Sequence, residues 1–128
     1  MNLNELAKII SYIRINAKHN CIFMNFDLYN NDRLIEHFYC EGVYNQIPQE
    51  DQAEYGQKNY HLPFFYGLSI DNRGPHDEFF MVHANTAFEC AELIKMQLYT
   101  WLPFANEIKI NVLHDEIKKK HFTIKINN

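Results

Sequence analysis

Residues 21–44 read CIFMNFDLYNNDRLIEHFYCEGVY, and the period of this stretch decides the fold. In its first half Ile22, Met24, Phe26 and Leu28 alternate with Asn25 and Asp27, the two-residue period of a strand with one apolar face. Asn30-Asn31-Asp32 is a turn signal, because short Asx side chains tolerate the backbone conformations of a tight turn. The second half is open to two readings. As a helix, Leu34 would meet Phe38 and Ile35 would meet Tyr39 at spacing four, with Asn31 as cap and Gly42 as terminator. As a strand, residues 33–44 close a hairpin with residues 21–29. The aromatic side chains, Val43 and the shortness of the turn favour the strand.

On the N-terminal side, Leu3, Leu6, Ile10, Ile13 and Ala17 recur at spacings of three and four, which predicts a helix over 3–18. Asn2 with Glu5 three residues later resembles a capping box. On the C-terminal side, residues 45–62 are polar, hold Pro48 and Gly56, and lack a clean period; they read as a long loop with room for a short helix over 49–55. Residues 63–70 and 78–83 read as strands joined by a turn-rich connection over 71–77. Thr86 and Glu89 form a second capping box, opening a helix over 86–101. Phe88, Ala91, Ile94, Leu98 and Leu102 are its expected apolar stripe, and Pro103 stops it. Residues 107–113 and 119–126 alternate as two last strands. Strands joined mostly by turns, with two one-sided helices, predict an α+β fold. It is a two-layer sandwich with an antiparallel sheet of about five to six strands and both helices on one face.

The 128 residues suffice for one domain, 1–128, with a real core, and the 47% apolar content is that of a globular chain. Aromatic residues are abundant at 15%, so large rings do much of the packing. Cys21, Cys40 and Cys90 are an odd set without framework spacing, which points to buried free thiols in a reducing compartment. The N-terminus lacks a signal-peptide pattern, and no apolar run approaches the ~18–20 residues of a membrane span. The expectation is a cytoplasmic protein with no membrane partner.

Chemistry-bearing patterns are weak. Seven histidines invite a metal reading, but none stands in a zinc-ligand spacing, so no metal and no cofactor are expected. His76, Asp77 and His83 flank a predicted strand and support an alternative reading as a small hydrolase or metal-dependent enzyme. Cys90 near a helix N-terminus could be an activated nucleophile, but Glu89 beside it opposes ionisation. Asp115-Glu116 reads as a solvated turn. Glycine-rich phosphate loops are absent. Lys118-Lys119-Lys120 reads as a guard on an exposed edge strand rather than as a nucleic-acid track.

Charge is unevenly spread. Residues 27–92 hold twelve acidic and three basic side chains, a net of −9, while both ends are basic and the whole chain is −4. Six tyrosines, 29, 39, 44, 55, 60 and 66, lie within the acidic part. A negative field with tyrosines in it suits a basic protein partner, because carboxylates steer the encounter and tyrosines anchor it. The expected function is a small acidic inhibitor that masks the nucleic-acid-contacting surface of a nuclease toxin or effector, as immunity proteins, antitoxins and phage-type inhibitors do. The expected contact residues are Glu41, Tyr44, Glu50, Asp51, Glu54 and Tyr55. A ligand-binding or structural subunit with an aromatic cleft is a further alternative. The sequence leaves oligomeric state open.

Overall fold

The structure, a computed structural model, describes residues 1–18, 21–43, 64–70, 79–84, 86–113 and 115–126; for residues 21, 41–43, 64–70 and 79–83 it describes the backbone alone. The elements are α1 (Leu3–Asn16), β1 (Cys21–Asn30), β2 (Arg33–Val43), β3 (Phe64–Ile70), β4 (Phe79–Ala84), α2 (Ala87–Leu98), β5 (Glu107–Leu113) and β6 (His121–Lys125). The strands pair antiparallel in the order β4-β3-β2-β1-β5-β6. The architecture is thus α+β, an antiparallel sheet with two helices. Side chains are described along most of β1, β2, β5 and β6.

The strand over Arg33–Val43 is settled by the turn before it. Asn31 and Asp32 take φ of 49° and 68°, the left-handed pair that a two-residue hairpin loop requires and that Asn and Asp tolerate. Asn106 secures this turn from β5's side. Its Oδ1 accepts the Asn31 amide at 3.2 Å, its Nδ2 donates to Asn31 Oδ1 at 2.9 Å, and its own amide donates to the Tyr29 carbonyl at 2.8 Å.

A bulge between Leu28 and Tyr29 then reassigns the faces of β2. An unbroken register from the turn would set Asp27 against Glu36 and put His37 and Tyr39 on the core face. The shifted register sets Asp27 against His37 and Leu28 against Glu36. Phe38 and Cys40 therefore face the core, where they are 1% and 0% exposed. Glu36 enters the same face as a buried residue, and its Oε1 accepts the His37 amide at 3.2 Å.

One face of the sheet makes the core. Ile22, Met24, Phe26 and Leu28 of β1, Ile108, Ile110 and Val112 of β5, and Phe122 and Ile124 of β6 are buried against Leu6, Ile10 and Ile13 of α1 and Cys90, Ala91, Ile94 and Leu98 of α2. Both helices thus cover one face. Trp101 closes the end of this layer, with its ring 5.0 Å from Phe38 at 78°. No helix among the described residues is long and apolar enough to cross a membrane.

Asn2 and Thr86 both act as helix N-caps. Asn2 Oδ1 accepts the amides of Asn4 and Glu5 at 2.9 and 3.2 Å, and Thr86 Oγ1 accepts the Glu89 amide at 3.1 Å. Several boundaries differ from expectation. The first helix ends at Asn16 rather than 18, because Ala17 turns extended and the Lys18 amide leaves the helix for Asp115. The second ends at Leu98 and passes into a 3-10 turn, Leu102–Phe104, that contains Pro103. The last strand begins at His121, because the Lys119 amide donates instead to the Tyr12 hydroxyl at 3.3 Å.

Two readings are corrected. Phe88 is 42% exposed and is not part of the core stripe. The buried positions of α2 are Cys90, Ala91, Ile94 and Leu98, and at ~100° per residue Phe88 falls roughly a quarter turn off their centre. Asp115 is not a solvated turn residue: it is 3% exposed, and its carboxylate accepts the amides of Lys18 (3.4 and 3.3 Å) and Ile117 (3.0 Å). Glu116 beside it is exposed. The short helix over 49–55, the loop over 45–62 around it and the connection over 71–77 lie outside the described residues.

Candidate functional site

The face of the sheet that the helices do not cover is the candidate site, and register alone builds it. Strand alternation turns Phe23, Asn25, Asp27 and Tyr29 of β1 away from the core. Cross-strand pairing then aligns side chains in rows. Tyr39, Asn25, Asn111 and His121 form one row across β2, β1, β5 and β6. His37, Asp27, Lys109 and Thr123 form the next, and Leu34, Tyr29, Glu107 and Lys125 the third.

Side chains on this face contact one another both within and between these rows. The Asp27 carboxylate holds the Nδ1 of His37, with the two side chains 13% and 26% exposed. Phe23 and Tyr39 stack with ring centres 6.0 Å apart at 26°. His121 Nδ1 and Asn111 Oδ1 are 2.5 Å apart. The Lys109 ammonium sits 4.6 Å from the Tyr29 ring centre and 3.7 Å from Glu107, whose other oxygen accepts a hydrogen bond from Lys125. That bond from Lys125, with the fields of Lys125 and Lys109, holds the Glu107 carboxyl below its ordinary range despite some desolvation.

A pH dependence follows from that direction. A depressed folded-state pKa contributes stability that is present above the ordinary carboxylate value, ~4.3, and is lost as pH falls through the lower folded value. Glu107→Gln should therefore melt below wild type at pH ~6, with the gap closing as pH is lowered toward ~3. The gap at pH ~6 should stay within about 1 kcal/mol, because Lys125 is largely exposed. Melting curves across that range of pH give the check.

The residues expected to contact a partner are only partly placed. Glu41 lies on β2, its Cα paired with Phe23 on one side and Gly67 on the other. Tyr44, Glu50, Asp51, Glu54 and Tyr55 lie outside the described residues. Of the alternative catalytic group, His83 pairs with Phe65 in the β3–β4 ladder, while His76 and Asp77 lie outside the described residues. Among the described residues, no three His, Cys, Asp or Glu side chains gather as a metal site.

Cys90 is not an activated nucleophile. It is 0% exposed in the core, and burial, then the charge of Glu89, push its thiol well above the ordinary range. Cys40 is likewise buried on the core side, so neither thiol reaches the Asp27–His37 pair on the opposite face. The lysine run precedes β6, an edge strand of the sheet, with the Lys119 ammonium 5.0 Å from the Phe122 ring centre.

Sequence reasoning passed over Asp27 with His37 and Lys109 with Tyr29. The polar positions of β1 were visible in the alternation; the partner of Asp27 depends on the bulge, which no residue type announces. No protein-family model matches the chain, and no curated protein or solved structure is detectably similar to it.

Proposed function

We propose that the protein is a small cytoplasmic binding module that inhibits a basic, nucleic-acid-contacting effector such as a nuclease toxin, in the manner of an immunity protein, an antitoxin or a phage-type inhibitor. The observation that carries this reading is the net of −9 over residues 27–92, interleaved with six tyrosines. The face of the sheet opposite the helices supports it. β2 carries His37 and Tyr39 along that face and runs on through Glu41 toward the segment with Tyr44, Glu50, Asp51, Glu54 and Tyr55. Inhibition is by occlusion: carboxylates take the places that phosphates occupy on the effector, and tyrosines fill the pockets beside them.

The test begins with capture of the partner from the native host, followed by assay of its nuclease or nucleic-acid-binding activity with increasing amounts of this protein. Stoichiometric inhibition is expected. Tyr55→Ala should mainly speed dissociation, weakening binding by about 2 kcal/mol if Tyr55 is an anchor. A captured partner that is acidic, or whose activity is untouched at saturation, would refute the reading.

A further inference from the structure

Helix α2 has two faces of opposite use. Cys90, Ala91, Ile94 and Leu98 point into the core, where α2 packs on α1 and β4. The outward face carries Phe88, Glu92, Met96 and Tyr99, at 88, 92, 96 and 99, the i, i+4, i+8, i+11 positions of one helical stripe. Its three large apolar side chains are 42%, 67% and 75% exposed, for Phe88, Met96 and Tyr99 respectively. Half of the strongly exposed large apolar side chains among the described residues thus lie on this one stripe. At the C-terminal end of the stripe a groove of about 330 Å³ opens beside Tyr99, lined also by Lys95, Leu102, Pro103 and Ile126.

We infer that this stripe is an interface with a second copy of the same chain, formed by antiparallel pairing of α2 with α2 about a two-fold axis. Going beyond the inhibitor reading, the inference needs no other protein. The argument is self-complementarity. Charge on the stripe is polar along the helix, with Glu89 and Glu92 toward its N-terminal half and Lys95 toward its C-terminal half. A two-fold axis crossing the helix between positions 93 and 94 sets Glu92 opposite Lys95 of the second copy, and does so twice. The same operation sets Phe88 opposite Tyr99 of the second copy, at the mouth of the groove, again twice. Parallel pairing would instead set Glu92 against Glu92 and leave Phe88 away from the groove. Antiparallel helices also oppose their dipoles favourably.

The contact is small. A 12-residue helix is about 18 Å long at ~1.5 Å per residue, too short for one of its faces to bury the ~800 Å² per partner of a standard interface. The dimer is therefore weak and reversible, forming at micromolar or higher concentration.

Sedimentation velocity of the full chain over roughly 1–500 µM tests this, a span chosen around the weak-dimer range. Wild type should pass reversibly from monomer to dimer. Met96→Glu should stay monomeric throughout while melting like wild type, because Met96 is exposed. Glu92→Lys and Lys95→Glu should each weaken the dimer by about five- to tenfold, and the two together should restore most of it, since the pair is then only reversed. Wild type that remains monomeric across the range, a dimer that survives Met96→Glu, or a double variant as weak as the singles would each overturn the inference. Because the partner-free protein is used, failure here leaves the inhibitor reading untouched.

Discussion

Phe38→Ala should destabilise the protein by about 3–5 kcal/mol. The ring is 1% exposed, lies opposite Phe26 across β1 and β2, and takes the edge of Trp101 at 5.0 Å. Its removal empties a site that strand backbone on one side and the helix layer on the other prevent from collapsing. With a total stability of ~5–15 kcal/mol for a domain, that is a large fraction, and the melting temperature should fall by roughly 10–20 °C. Phe88→Ala makes the contrast: with its ring 42% exposed, the cost should stay below about 1 kcal/mol. Denaturant melts of the two variants side by side give the check. Equal costs would mean that the faces of β2 or α2 are wrongly assigned.

Asp115→Ala should cost about 2–4 kcal/mol, since hydrogen bonds to a charged group are worth ~1.5–3 kcal/mol and the orphaned amides add a desolvation penalty. The carboxylate is buried and ties two distant parts of the chain. It receives the Lys18 amide just beyond α1 and the Ile117 amide in the connection from β5 to β6. Ala leaves both amides without that acceptor and frees the end of α1 from the sheet layer. Asp115→Asn keeps an acceptor oxygen and should lose about half as much. Glu116→Ala, at the exposed neighbour, should change stability by less than about 0.5 kcal/mol. Amide hydrogen exchange at Lys18 and Ile117 is the finer readout, with protection lost in the Ala variant.

These two positions also mark what sequence could and could not provide. Period, caps and turns are local quantities, and they located both helices and the alternation of β1, β5 and β6. The Asn31-Asp32 turn made the hairpin readable. The faces of β2 were not readable, because a single bulge near Leu28 exchanges Ile35, His37 and Tyr39 for Glu36, Phe38 and Cys40 on the core side. That choice is made by packing against α1 and α2, not by any preference of residues 33–43. Asp115 differs from its reading for a related reason: its nearest sequence neighbours are polar, and the Lys18 amide that its carboxylate accepts comes from 97 residues away. Phe88 shows the converse error, in which an apolar residue near the right spacing was assigned to a stripe whose centre lies elsewhere. The candidate site divides in the same way. The polar character of Asn25 and Asp27 was legible, but the His37 and Lys109 neighbours that give Asp27 its setting come from pairing between strands.

The most direct test of the central claim, that the acidic middle of the chain recognises a basic partner, is the ionic-strength dependence of the association rate after reversal of Glu50, Asp51 and Glu54 to Lys. Steering by exposed charges is screened over ~8–10 Å at physiological salt, so wild-type association should slow steeply as salt rises. The triple variant should associate more slowly at low salt and lose most of that dependence, with melting unchanged. An association rate and salt slope equal to those of the wild type would contradict the account and leave the acidic segment as a solvated surface.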